Sequence, residues 1–463
     1  MYWLLPPFQL ITLASESFAV PQLNLILALI CRQYLADGRL KDPTFTVLPI
    51  IFGGDNPHCQ IPEVQALVSR FMLYGNLISG ILSAIMSPKL GSLSDRYGRN
   101  KLIAVAALGM LIGKVATIAI ATWPDLLSVH WLFLGFFFNG ICGSFITLMA
   151  LSHAYATDCT TQTQRNVAFG YFHGCLFIGI AVGPVLGGYI IKATGHILTV
   201  FYIALGCHLL SMAVLLFAVP ESLSRERQRV AREKIRIEKE SAGNSLHQTW
   251  FYRIQSGNLL APLDILFPTG EGSTRAIRYN LILLSAIDTI MFGWGNFETS
   301  IFLSIVNTCR VLILLVVLPI VTLIVRGRSG ASGSQSTRKS GMDALDINII
   351  RAAILFDTIG YIGYSIVRSG PLFTLSGVVA SAGAMGSPTL QSSLTKHVPS
   401  DKMGQLLGAT GLLHALARVV SPIVFNLTYS LTVGKFTQTV FICLVSTFGI
   451  AFVSSWFLKP HSR

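Results

Sequence analysis

Long apolar runs, nearly free of charge and separated by polar segments, recur along the whole chain and leave few folds open to it. They fall near 3–29, 66–87, 102–122, 131–155, 166–191 and 197–219, then near 279–293, 299–325, 347–367, 370–392, 404–430 and 436–457. A helix needs about 20 apolar residues to cross the hydrocarbon of a bilayer. Of the structures that can cross, only helices satisfy their backbone within one segment. Twelve such runs therefore predict an all-α membrane protein. With 52% hydrophobic and 12% charged residues, the chain also lacks the polar surface that a soluble protein of 463 residues requires.

The net charge of +13 raises nucleic acid as a partner, but its placement argues for orientation instead. Of the 34 Lys and Arg, 23 fall in loops on one side of the predicted spans and six in loops on the other. Under the positive-inside rule this puts both termini and the long polar loop 220–278 in the cytoplasm. The first run is too long for a cleaved signal and has no small-residue cleavage site, so it reads as a signal anchor and first span. The predicted organisation is an N-terminal six-helix bundle (1–219), a central cytoplasmic loop with a charged helix (220–278) and a C-terminal six-helix bundle (279–463). An internal repeat supports two matched halves. Gly143-Ser144 leads to Asp158 as Gly386-Ser387 leads to Asp401, and Gly170 precedes Pro184 as Gly408 precedes Pro422.

Between the second and third runs lies a knot of glycine and charge, Gly91-Ser92-Leu93-Ser94-Asp95-Arg96-Tyr97-Gly98-Arg99-Asn100-Lys101. The spacing predicts a short turn in which Asp95 caps the helix that follows. Its Gly91, Asp95, Arg96, Gly98, Arg99 and Lys101 resemble the signature loop between spans two and three of the major facilitator superfamily. The resemblance implies a fold of two six-helix bundles related by a pseudo-twofold axis. It also implies a cytoplasmic gate in which the aspartate and an arginine hold the halves together. In the fifth run, Gly179, Gly183, Pro184, Gly187 and Gly188 resemble the Gly-Pro-x-x-Gly-Gly element common among exporters of that family. Read without the family, the same small residues are a helix-packing stripe. Taken together, the fifth span and the turn Gly293-Trp294-Gly295 look most like the tetracycline and multidrug proton antiporters. The outer loop bracketed by Cys31 and Cys59 is instead similar to that of proton-coupled folate-type transporters. These two cysteines are either free or joined as a disulfide.

A charge at mid-membrane is costly, about 2.5–3.5 kcal/mol on insertion scales, and so marks function or pairing. Glu16, Lys114, Asp288, Glu298, Asp357 and Arg418 are such charges. The facilitator fold would place spans one, four, seven and ten around the pathway, which makes Glu16 and Asp288 the proton-coupling candidates. Lys114 and Asp357 fall on peripheral spans and read as structural anchors. Asn139, Ser144 and Thr147 on span four, Ser381, Ser387 and Gln391 on span ten, and Arg418 on span eleven are cavity candidates. His153, His173 and His414, in or near spans, read as satisfied core histidines, with a proton relay as the alternative. Leu223–Glu240 carries a basic face and reads as a solvated linker helix or a lipid-surface helix.

The expectation is a monomeric secondary transporter of a small solute, proton-coupled and working by alternating access, in the plasma membrane or an endomembrane. No cofactor, metal or enzymatic activity is expected, since no catalytic cluster or metal-ligand spacing is present. The short run 279–293 leaves one alternative, a facilitator-fold sensor or scaffold that does not transport.

Overall fold

A computed structural model of the chain describes residues 1–41, 59, 61–241, 297–330, 343–367, 369–398, 402–432 and 439–457. Within these residues the fold is all-helical. The first group of helices is α1 (Leu5–Lys41), α2 (Pro62–Tyr97), α3 (Arg99–Thr122), α4 (Leu132–Ile141), α5 (Ser144–Cys159), α6 (Arg165–Thr194) and α7 (Ile197–Phe217). A charged helix, α8 (Arg225–Ser241), follows. The second group is α9 (Phe297–Leu312), which continues through a wider turn at Ile313–Val317 into α10 (Leu318–Gly330), then α11 (Ala344–Ile366), α12 (Gly370–Ser381), α13 (Gly386–Thr395), α14 (Met403–Thr432) and α15 (Thr439–Ser455). Among the described residues, eight helical segments are long and apolar enough to cross a membrane. The predicted seventh span, 279–293, lies outside the described residues, as does the turn at Gly293 to Asn296.

Two of the predicted spans are broken at matching places. The fourth is α4 and α5, parted at Gly143, whose φ of +88° suits a residue without a Cβ. Ser83 on α2 donates to the Gly143 carbonyl at 2.7 Å and lies 3.0 Å from the Ser144 hydroxyl, so α2 is bonded to the break itself. The tenth is α12 and α13, parted by a tight turn at Ala382–Met385 just before Gly386-Ser387. The repeat read from Gly143-Ser144 and Gly386-Ser387 thus marks the interruption of both spans.

Each group buries its own core. Leu4, Phe8, Leu148, Tyr155, Phe169 and Phe172 pack in the first, and Ile347, Ile350, Tyr361, Leu390, Leu406 and Phe448 in the second. Smaller apolar contacts join them: Ala84 with Leu412 and Ala415, Ala150 and Ala154 with Leu407, and Phe177 with Leu314, Leu318 and Ile349. Within the first group, the glycines of α6 bring it against α1. A Cβ at Gly179 would meet Thr12 at 3.1 Å, one at Gly183 would meet Glu16 at 2.7 Å, and one at Gly187 would meet the Ser17 carbonyl at 2.7 Å. Gly188 has nothing within 4 Å and stands apart from that stripe, and Pro184 sits inside the continuous helix. Cys31 and Cys59 form a disulfide.

Candidate functional site: a lock between the two helix groups

The glycine-and-charge knot is not a loop. α2 runs straight through Gly91 to Tyr97, and α3 begins at Arg99, so Gly98 alone makes the reversal, with φ +102° and ψ +153°. A Cβ there would meet the Glu221 carboxylate at 2.5 Å. That carboxylate accepts from the Arg99 amide at 2.7 Å and the Asn100 amide at 3.2 Å, so Glu221 is the residue that caps α3. The expectation that Asp95 caps the following helix is therefore corrected. Asp95 still lies within the last turns of α2, and its side chain points across to the other helix group.

There Asp95 accepts from the Gly404 amide at 3.0 Å and the Gln405 amide at 3.2 Å. These are among the first amides of α14, which have no partner inside their own helix. A carboxylate at a helix N-terminus also complements the positive end of its macrodipole. The approach is close because both helices carry glycine here: the backbones at Gly91 and Gly404 touch, and Ser87 donates to the Gly408 carbonyl at 3.3 Å.

Behind Asp95 stands Arg99, whose side chain is fully buried. It pairs with Asp95 at 2.7 Å and with Asp158, near the end of α5, at 3.0 Å, while donating to the Ser94 hydroxyl at 2.6 Å. A buried cation survives only with charge and hydrogen bonds around it, and Arg99 has two carboxylates. Asp158 is itself held by the Ser222 hydroxyl at 3.2 Å. The Tyr155 hydroxyl donates to the Pro220 carbonyl at 2.8 Å, and the Asn100 amide group to the Val219 carbonyl at 2.7 Å. Helices α2, α3, α5 and the exit of α7 are thus tied into one block that presents Asp95. Of the remaining knot residues, Arg96 donates back to Ser92 on its own helix at 3.0 Å, and Lys101 is exposed.

A second tie crosses nearby. Arg165, at the start of α6 and buried, donates through Nη1 to the Thr395 carbonyl and hydroxyl, both at 3.2 Å. Thr395 ends α13, so here a cation sits at the negative end of a helix. Neither Arg165 nor Glu221 stands out in the sequence as a site residue. The Pro220-Glu221-Ser222 exit is visible there, but its use as a cap requires the fold.

The other predicted residues scatter. Asn139 donates to Ser79 at 3.3 Å, Ser144 meets Ser83, and Thr147 is buried against Gly143, so these three join α2 to the fourth span. Ser381 donates to the Val306 carbonyl at 3.1 Å, inside the second group. Ser387 and Gln391 meet histidines of the first group and of α14. Glu16 is half-buried on α1 and acts electrostatically on Lys114, whose ammonium also lies 3.1 Å from Ser15 and from His208. Asp357 abuts Gly383 at the break of the tenth span. Asp288 lies outside the described residues, and so do the side chains of Glu298 and Arg418.

Apolar membrane-length helices in two groups, held to each other at one end by a helix cap and a buried arginine, define a multi-pass membrane transporter. The sequence matches the description Major Facilitator Superfamily over residues 63–422. It is 31% identical over 470 residues to the MFS-type transporter avaJ of Aspergillus versicolor, spanning 99% of this chain and 89% of that one. Two more distant relatives are the class H tetracycline resistance protein of Pasteurella multocida and the proton-coupled folate transporter of Rattus norvegicus. The first is 24% identical, covering 87% of this chain and 92% of its own, and the second 22%, covering 81% and 75%. Among solved structures, the human organic anion transporter MFSD10 (TETRAN) aligns with a TM-score of 0.67 at 18% identity over 98% of both chains. The chain belongs to the major facilitator superfamily.

Proposed function

We propose that the protein is a proton-coupled secondary transporter that exports a small organic solute by alternating access. The observation that supports this reading above all is the Asp95 cap on α14. It joins the two helix groups through two hydrogen bonds and one close approach, a connection strong enough to hold one end shut and weak enough to be broken in each cycle. In this reading the locked end is cytoplasmic, and the structure represents the state that faces the opposite side. The likeness to tetracycline resistance proteins favours export driven by inward proton flow.

The halves 1–219 and 279–463 rock as two bundles about the loop 220–278, in a monomer whose termini are both cytoplasmic. Asp288 keeps the coupling assignment made from sequence. Glu16 beside Lys114 is better suited to a charge pair than to free proton exchange. Purified protein in proteoliposomes, supplied with tetracycline and with a fluorescein-type organic anion, tests the function directly. Accumulation that follows an imposed proton gradient and collapses with a protonophore is expected. Gradient-independent equilibration of both probes overturns the coupling. Tags within 30–60 and within 225–245 are expected on opposite sides of the membrane, and finding both on one side overturns the topology.

A further inference from the structure

Three histidines meet where the two groups face each other, a few turns deeper than the lock. His153 of α5 and His173 of α6 stack with ring centroids 5.2 Å apart and planes 13° from parallel. His153 stacks on Phe169 as well, at 4.3 Å. From the second group, Ser387 of α13 lies 3.3 Å from His173 Nε2, and Gln391, one turn further on, reaches His414 Nε2 of α14 at 3.5 Å. His153 is 1% exposed and His173 9%.

The hydrogen bonds fix the protonation of His173. Its Nδ1 lies 3.1 Å from the Phe169 carbonyl, which can only accept, so Nδ1 carries the proton and Nε2 accepts from the Ser387 hydroxyl. A proton arriving at Nε2 makes an imidazolium stacked face to face with a second imidazole, between the two helix groups, where His153 and His173 are both buried. The charge is poorly solvated there, since burying an ion without a counter-charge is unfavourable. The titratable groups acting on His153 are His173 and His414, and His173 also acts on His414. Among the described residues, these charged groups of the packed elements have partners elsewhere. Asp158 on α5 holds Arg99, Arg165 on α6 holds Thr395, and Lys396 after α13 holds Asp346. Arg310 on α9 lies over the Phe177 ring, Asp95 on α2 caps α14, and Glu16 on α1 faces Lys114.

We propose that His153, His173 and His414 form a proton-binding site whose occupation releases α13 and α14 from α5 and α6 and so opens the locked end. Separation of the groups hydrates the imidazolium and unstacks it, so the open state binds the proton more tightly than the closed one. By linkage, the ligand then favours opening by the ratio of the two affinities. An unperturbed imidazole titrates near pH 6.5, within the range a proton gradient spans. The inference rests on the alternating-access reading above, with the proton acting at the gate in addition to any carboxylate on the pathway.

The test uses the full chain in lipid nanodiscs, with its free cysteines replaced by serine and spin labels at Y97C and K402C, both exposed at the locked end. The pulsed-dipolar distance distribution is recorded from pH 8 to pH 5 without solute. The closed, short-distance population is expected to fall as pH is lowered, by up to tenfold in the closed-to-open ratio per pH unit, about 1.4 kcal/mol. In H153Q/H173Q the ratio is expected to change less than twofold over the whole range. H173N, whose amide can still donate to the Phe169 carbonyl, keeps the fold and is expected to lose most of the response. A wild type that stays closed at pH 5 while D95N opens overturns the proposal. So does a double variant with the wild-type response. If D95N does not open either, the alternating-access reading itself fails. Because no solute is present, a failure of proton-driven transport in proteoliposomes leaves this result standing.

Discussion

The two helix groups carry buried charge at the same level, but with the signs exchanged. In the first, the cation Arg99 opens the third span and is held by Asp158 at the end of the fourth. In the second, the carboxylate Asp346 lies in the first turn of α11, the ninth span, and is held by Lys396 just after α13, the end of the tenth. Asp343 adds a second carboxylate to Lys396 at 3.5 Å. Each pair staples two neighbouring helices of its own group. The first station has something more, since Arg99 also anchors Asp95, and Asp95 leaves its own group to cap α14. In the second station Lys396 holds two carboxylates of its own group, Asp343 and Asp346. A repeat built from one plan has thus kept the staple in both copies and the latch in one. The stations should accordingly share their contribution to stability and differ in their contribution to gating.

Arg99→Met is the harshest test. It leaves Asp95 and Asp158 buried without their cation, and breaking a buried pair costs about 3–5 kcal/mol. A sharp fall in the unfolding temperature in detergent is expected, together with loss of the short-distance population between labels at 97 and 402. Lys396→Met strands Asp346 in the same way, and a loss of stability of similar size, about 3–5 kcal/mol, is expected. Here the label distance should stay short. If Lys396→Met opened the end as fully as Arg99→Met does, the distinction between staple and latch would be wrong.

Gly404→Ala comes next. The added methyl meets the Gly91 carbonyl, which is backbone and cannot swing aside, so α14 must move away from α2. Overpacking of this kind costs about 1–3 kcal/mol. Since that cost falls on the closed state alone, the open population should rise by roughly tenfold or more, read from the same labels with the unfolding temperature little changed. Asp95→Asn preserves shape and one acceptor oxygen, and removes the charge at the α14 N-terminus. A shift toward the open state of about 1 kcal/mol is expected, smaller than for Gly404→Ala.

Much of this is legible in the sequence, and the boundary is physical. Apolar length alone locates the spans, because nothing but helix satisfies the backbone in lipid within one segment. The Gly143-Ser144 and Gly386-Ser387 repeat coincides with the breaks in the fourth and tenth spans, and at the first of them glycine is what a φ of +88° selects. The knot from Gly91 to Lys101 stands out in the sequence, but its geometry does not. Nothing local reveals that α2 continues to Tyr97, or that the aspartate's partners stand 309 and 310 residues away. Local reasoning assigns Asp95 to the next helix, a cap that Glu221 supplies from 122 residues beyond Arg99. Arg165 counts as one loop charge among many in the sequence, because its partner Thr395 lies 230 residues along the chain. The polar residues on span four are cavity candidates in the sequence, but their use is not legible there, since hydroxyls that bond α2 to the fourth span have the same spacing as hydroxyls that bind a solute.

Arg165 separates charge from geometry in the latch, and its conservative variant should have the smallest effect. The guanidinium contributes two things at the end of α13, a positive charge against the negative end of the helix and a pair of hydrogen bonds from one nitrogen to the Thr395 carbonyl and hydroxyl. Arg165→Lys keeps the charge, worth about 0.3–1 kcal/mol at a helix terminus, and shortens the reach. Arg165→Met removes both, and hydrogen bonds from a charged donor contribute about 1.5–3 kcal/mol. With labels at 97 and 402, Arg165→Lys is expected to shift the closed-to-open ratio by less than about fivefold, under about 1 kcal/mol. Arg165→Met should shift it clearly further. Equal shifts would mean that the fixed fork alone carries the tie and that the helix end contributes nothing. If neither variant moved the ratio, the latch would reduce to Asp95 and the glycines, and the contrast between the two groups would rest on a single carboxylate.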